Sequence, residues 1–510
     1  MQARISEKRD SVTPLFDPSR RLVLLLLVAL SLASFALYAR WVVRPYLAVD
    51  DFQILQRSWT WQQTRDGLWE PANEHAMPLG RLTTFGLVRA TGGVAAVPYL
   101  AALQGPLAVL AGTLLLYLFV RRELGHPFYG LAAAALFGVS TVYEQAVYWF
   151  SASFSVVTLD TLLLALLAAQ QWRLSRRPVF LALSVLGTAL APAWFASGIL
   201  AGPLCALYLL LPEGHAAAAG KWWRALVRSA LVALVPLLGS ALFLAVSLPR
   251  TAERIMHLPH YEGETALQAF HPLKGLQYTF WSIVENLLLG QLGISSVNVP
   301  FGLAVAVWPM LLVLGAWWWR GAPAGRRQML LGLGLIFTGY LLVYSARAEW
   351  GYAGYMNRPN WSRYHLLPQL GLALFLAAGL PRWAGAWKLR PDGMLRWGQV
   401  GALLALVLML AVVQYQRTRW TPWAPDDDTQ LQALRRVDEA DAVCRRHRIG
   451  VTTAQAVLGW RDIPGGGRRP ENRLNCWDFL RGSPDPDPSM TPDEARRVLA
   501  PFLAESDDQS

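Results

Sequence analysis

Apolar residues fall in about eleven runs along this chain, at 22–45, 95–120, 127–142, 153–171, 178–194, 196–211, 229–248, 299–319, 328–345, 364–380 and 397–415. Most approach the ~20 residues with which a helix crosses a bilayer, and the shorter ones carry Pro or Trp at their edges. The pattern predicts an all-α polytopic membrane protein with about eleven transmembrane helices. Between the first two runs, DFQILQRSWTWQQ puts Phe52, Leu55 and Trp59 on one helical face, as a helix lying in the membrane interface would. Beyond the last run the pattern changes. TQLQALRRVDEADAV spaces Leu431, Leu434, Val437 and Ala440 for a helix, GSPDPDPS reads as a linker, and TPDE at 491–494 is a capping box with Pro492 at the first helical position. Residues 416–510 therefore read as a small soluble region, and no internal repeat of fixed period runs through the chain.

Composition excludes the soluble alternative. With 54% hydrophobic residues, 23 Trp and 16% charged residues, the chain holds more apolar surface than one soluble core can hide, so its partner is the lipid bilayer. The net charge of +12 would suggest nucleic acid in a soluble chain, but here the basic residues sit at helix ends. They also orient the protein. If the tail 1–21, with Lys8, Arg9, Arg20 and Arg21, is cytoplasmic, alternate loops carry Arg121/Arg122, Arg173/Arg176/Arg177, Lys221/Arg224/Arg228, Arg320/Arg326/Arg327 and Arg382/Lys388/Arg390 on the same side. The transmembrane part is then 22–415, and the segments outside are 46–94, 143–152, 249–298, 346–363 and the tail from 416. ALYA resembles a cleavage site, but a polar stretch of about 20 residues precedes the first run, which reads as an uncleaved span. Cys205 lies within a span. Cys444 and Cys476 fall in the exported tail, where a disulfide is expected; two buried thiols, or a zinc site with His447 that lacks a fourth ligand, are the alternatives.

The candidate chemistry lies in the external segments. Asp50 and Asp51, just after the first span, can cap the helix that follows, act as general base, or bind a metal. NEHAMPLGRL adds Glu74, His75 and Arg81, residue types that a solvated loop also carries. Glu144 is the one charged residue of a short external loop between Tyr143, Tyr148 and Trp149. Asp160 sits about two turns inside a span, where an acid is either functional or tied into a structural hydrogen bond. EWGYAGYMNRPNWSRYHLLPQLGL supplies Arg347, Arg358, Arg363 and His365, suited to a phosphate at headgroup depth or to interfacial anchoring.

VDDFQIL after the first span, HAMPLGRL in the first loop and RYHLLPQLGLAL at a late span together resemble the C-type (GT-C) membrane glycosyltransferases, most of all the branch of protein O-mannosyltransferases and their bacterial relatives. The resemblance covers roughly 20–415. It implies a GT-C-like bundle in the bacterial inner membrane that passes a sugar from a polyprenyl-phosphate donor to an extracytoplasmic acceptor. By position it implies Asp50 or Asp51 as base, Glu144 as its assistant, and Arg363, then Arg358 and His365, on the donor phosphate. The short tail differs from the recognition modules of that branch and leaves the acceptor open between protein, lipid and glycan.

The residues support such chemistry on their own terms. Displacing phosphate from an anomeric carbon needs a base for the attacking hydroxyl and cations for the leaving phosphate, and in-line attack inverts the centre. A divalent cation, Mg or Mn, on Asp50, Asp51 and Glu144 is compatible with this but not required. The alternatives are a transporter or flippase of lipid-linked sugars, which would use Asp160, and an O-antigen ligase or polymerase-like enzyme, which would use Arg250, Arg254, His257, His260, Glu262, Glu264 and His271 of the 249–298 segment.

Overall fold

A computed structural model describes residues 18–71, 76–211, 222–257, 272–292, 301–347, 362–384, 397–419, 428–463 and 475–503. Among them there is no strand, only helices joined by short turns. In chain order they are α1 (Pro18–Val43), α2 (Val49–Gln56), α3 (Trp61–Asp66), α4 (Pro78–Ala90), α5 (Val97–Leu124), α6 (Pro127–Gly138), α7 (Gln145–Tyr148), α8 (Phe150–Ser175), α9 (Pro178–Trp194), α10 (Ala201–Leu210) and α11 (Trp222–His257). Then come α12 (Pro272–Ser282), α13 (Phe301–Trp319), α14 (Pro323–Arg347), a 3-10 turn at Ser362–His365, α15 (Leu366–Ala384), α16 (Trp397–Arg419), α17 (Thr429–Arg446), α18 (Val451–Leu458) and α19 (Pro492–Leu503).

Among the described residues 7 helices are long and apolar enough to cross a membrane, and four shorter apolar ones, Pro127–Gly138, Pro178–Trp194, Ala196–Leu210 and Val305–Trp319, lie at the remaining runs of the sequence. Helices α1, α11 and α16 turn Leu24, Leu32, Leu231, Leu238, Leu404 and Leu408 outward. Such outward leucines need lipid around them, and the chain is an integral membrane protein. Inside the bundle, small residues bring backbones together. A Cβ on Gly332 of α14 would stand 2.6 Å from the Gly371 carbonyl of α15.

The middle of α8 is buried and, Thr158 and Asp160 apart, largely apolar, and its two ends are polar. At one end Glu123 accepts hydrogen bonds from Arg327 Nε (2.8 Å), Gln170 (3.0 Å) and the Tyr208 hydroxyl (2.6 Å), while Arg173 donates to the Tyr208 carbonyl (2.8 Å). This joins α5, α8, α10 and α14. At the other end Ser151 begins the helix. From Ser151 to Gln170 an α-helix rises about 30 Å, the thickness of a bilayer's hydrocarbon, so the two polar ends match two membrane surfaces.

Two expectations are corrected here. Phe52, Leu55 and Trp59 do not face lipid: all three are buried in one apolar cluster with Leu434, Val437, Trp477, Phe479 and Leu499 of the C-terminal region. Phe479 meets Phe52 at 5.9 Å and Trp59 at 5.4 Å. The amphipathic face is real, but protein covers it. Cys444 and Cys476 are free thiols, not a disulfide. Each packs as a small hydrophobe in the same cluster, and burial pushes their pKa values up to about 11 and about 12. The helix spacing of the tail holds, with Leu431, Leu434, Val437 and Ala440 buried on α17, and Thr491 and Glu494 exchange the capping-box bonds at the start of α19.

Candidate active site

The chain leaves α1 and turns into α2 under a clamp from the C-terminal region. Gln430, 3% exposed, accepts the Leu47 N–H at 2.8 Å and donates to the Leu47 carbonyl at 2.9 Å. Three residues later the two carboxylates part. Asp51 is fully buried: one oxygen accepts the N–H of Ala48, the residue before α2, at 2.8 Å, and the other accepts the N–H of Ser151 in the first turn of α8 at 2.7 Å. It caps two helix N-termini at once, and so ties the first loop to the membrane bundle. Burial pushes its pKa up to about 7, the two N–H groups pull against that rise, and the Asp50 charge adds to it. Asp50 is half-buried beside it.

Glu144 is buried at the head of the short helix α7, where its carbonyl accepts the Val147 and Tyr148 N–H groups at 2.8 and 3.1 Å. Three glutamines from three parts of the chain, two of them in spans, pin the turn that leads to it. Gln414 Oε1 accepts from the Thr141 N–H (2.9 Å) and hydroxyl (2.6 Å), and its amide donates to the Gln291 carbonyl (3.0 Å). Gln291 donates to Ser140 Oγ (3.0 Å) and to Gln369 (2.6 Å), which donates on to the Leu136 carbonyl (2.7 Å). Gly105 of α5 completes the seat, because any Cβ there would run into the Val147 backbone.

The turn at Ser362–His365 then meets α7. Ser362 Oγ accepts the Gln145 N–H at 2.9 Å, and the Arg363 guanidinium lies over the Trp149 ring, 4.2 Å from its centroid, with Tyr364 Oη at 3.2 Å. Arg363 is half-buried. Thus Asp51 and Arg363 are anchored on Ser151 and Trp149, two positions apart in the chain, with Glu144 one short helix away.

The remaining candidates separate. His365, 2% exposed, pairs with Tyr340 at 3.2 Å, inside the bundle. Arg81, also 2% exposed, donates to the Glu70 carbonyl at 2.8 Å and supports the first loop from beneath. Asp160 is buried in α8 against Gly112, where a Cβ would stand 2.6 Å from its Oδ1. Glu74, His75 and Arg358 lie outside the described residues, as do 258–271 and 293–298 of the 249–298 segment. Among the described residues no three His, Cys, Asp or Glu side chains come together to hold a metal ion. The trio Asp50, Asp51 and Glu144 therefore does not form a ligand set, because the two oxygens of Asp51 are turned to backbone N–H groups.

Sequence reasoning missed Gln430, Gln291, Gln369 and Gln414. The last two had a signal, a lone amide within an apolar run, since such groups seek partners inside a bundle.

No protein-family model matches this chain, and no curated protein matches it by sequence. Among solved structures it is similar to two crystal structures of the oligosaccharyltransferase of Archaeoglobus fulgidus, one in complex with zinc and sulfate and one in the apo form. Both have a TM-score of 0.41, at 14% and 12% identity, covering 87% and 94% of this chain. The chain spans 58% of the length of the first and 68% of the second. At that level of likeness the chemistry has to be read from the side chains themselves.

Proposed function

We propose that this protein is a C-type membrane glycosyltransferase that moves a sugar from a polyprenyl-phosphate donor to an extracytoplasmic acceptor hydroxyl, with inversion. The observation that supports this is the anchoring of Asp51 and Arg363 on Ser151 and Trp149 at the start of α8, with Asp50 beside Asp51 in the chain and Glu144 at the head of α7, at one end of a helix as long as a bilayer is thick. A carrier phosphate lies at that depth. Arg363 takes its oxygens, and the guanidinium contact strengthens as charge moves onto the leaving phosphate. Asp50 takes the proton of the acceptor hydroxyl as its oxygen attacks the anomeric carbon and the carbon–phosphate oxygen bond breaks. Asp51 positions Asp50 by fixing the helix that carries it, and Glu144 assists from α7. Positive residues at the Glu123 end, Arg121, Arg173 and Arg327 among them, support a cytoplasmic N-terminus and an extracytoplasmic site. The region 416–510 is then an exported clamp on the first loop.

The test is transfer from a synthetic prenyl-phosphate sugar by the full chain in nanodiscs. Asp50→Asn should lower kcat by about 10²-fold or more, as removal of a general base does. Arg363→Lys should keep partial transfer and Arg363→Ala little, with kcat falling as well as donor affinity. Wild-type kinetics in well-folded Asp50→Asn and Arg363→Ala would reject the reading. Loss of a glycoform and accumulation of a prenyl-linked sugar in cells lacking the protein would name donor and acceptor together.

A further inference from the structure

At the far end of α2 from Asp50 lies a cavity of about 350 Å3, bounded by Arg65, Asp66, Trp69, Glu70, Pro71 and Arg250. That volume is in the range of small-ligand sites. Its wall is held in place by a buried charge. Arg81 lies beneath the turn from Gly67 to Glu70, donating to the Glu70 carbonyl at 2.8 Å, and a Cβ on Gly67 would stand 2.9 Å from its Nη1. The residue capping the C-terminus of α2, Arg57, reaches the Pro71 carbonyl at 3.5 Å. Asp50 and Arg57, whose side chain reaches the cavity wall, therefore sit at the two ends of one short helix, about 10 Å apart along its axis. Helix α11 closes the other side, with Arg250 6.0 Å from the centroid of the Trp69 ring, which also packs 6.0 Å from Phe243.

The lining selects its ligand class. The lining carries two guanidinium groups, Arg65 and Arg250, and two carboxylates, Asp66 and Glu70; Arg65 and Asp66 pair at 2.9 Å, and the formal charge sums to zero. An anion gains little from a balanced lining. Hydroxyl groups, which both donate and accept, satisfy both kinds of side chain, and the indole offers an apolar face to ring carbons. We infer that this cavity seats a sugar ring, of the donor or of the acceptor, while Asp50 works at the other end of α2. The inference rests on the glycosyltransferase reading and names where its saccharide binds.

Two measurements on the full chain in nanodiscs test it. In saturation-transfer NMR against a panel of methyl glycosides and disaccharides, the wild type and Asp50→Asn should both give a signal to at least one saccharide. Arg250→Leu, Glu70→Gln and Trp69→Ala should lose it. Trp69 packs on Phe243, so its variant can misfold; the exposed Arg250 and Glu70 keep the test open. In the transfer assay the same variants should raise KM about tenfold, the loss of roughly one good polar contact, with a smaller change in kcat. A rise for the donor alone assigns the ring to the donor, and a rise for the acceptor alone to the acceptor. No saccharide signal in the wild type, or signal and KM unchanged in folded Arg250→Leu and Glu70→Gln, would overturn the inference. Saccharide binding in a protein that transfers nothing would keep the cavity and reject the enzyme.

Discussion

Asp50 and Asp51 are the same residue type at adjacent positions, yet Asp51 is fully buried between two helix N-termini and Asp50 is half-buried. Sequence alone left the pair undivided because the group that separates them, the Ser151 N–H, lies 100 positions further on. Their behaviour with pH should differ accordingly. The folded state raises the Asp51 pKa from 3.8 to about 7, so it binds a proton that the unfolded chain has already released. Stability from this group is fully present below the unfolded pKa and is lost as pH rises through the folded one. Thermal melts from about pH 4 to about pH 8 should show the wild type losing stability across that window, by up to a few kcal/mol. Asp51→Asn should flatten the slope, at the cost of about 1–2 kcal/mol throughout because its single amide oxygen can accept only one of the two N–H groups and its NH2 faces the other. A wild-type slope retained in Asp51→Asn would move the titration to another group.

At the scale of elements, the sequence read helix spacing well and partners poorly. The face carrying Phe52, Leu55 and Trp59 was legible as amphipathic, but lipid and protein reward the same pattern, and only the C-terminal region settles which covers it. That region makes polar contacts too: Asp438 accepts the Val94 and Ala95 N–H groups at 2.7 and 3.0 Å, and Arg481 donates to the Val88 carbonyl at 2.9 Å. Gln430 is the contact nearest the site. In Gln430→Leu both main-chain groups of Leu47 would be buried without that amide, costing about 1–3 kcal/mol each. The expected outcome is a lower melting temperature together with a fall in kcat larger than any change in donor KM, since the chain that enters α2 would no longer hold Asp50 in place. Gln430→Glu keeps the acceptor for the Leu47 N–H and should recover part of the rate. Equal loss of stability and unchanged kcat in both variants would reduce Gln430 to packing.

For the whole molecule, class was legible from the start, because eleven apolar runs and outward leucines are local facts about composition. The site was legible only as separate fragments. Asp51, Glu144 and Arg363 come together through Ser151, Ser362 and Trp149, contacts that span 100 to more than 200 positions and leave no periodic trace. What joins fragments to class is the polarity of α8, with Asp51 and Ser151 at one end and Glu123, Gln170, Arg173 and Arg327 at the other. If the positive residues at the second end mark the cytoplasm, as proposed, the site faces outside. A membrane-impermeant maleimide can test this in a background with Cys205, Cys444 and Cys476 replaced. Trp61→Cys, exposed at 52% at the start of α3, should label in intact cells or spheroplasts, and Arg177→Cys, exposed beyond α8, only after permeabilisation. In the protein with its native cysteines, denaturation should release thiols at Cys444 and Cys476 without reductant, as two buried free groups do. Labelling in the reverse order would put Asp50 and Arg363 in the cytoplasm, and with them any donor they use.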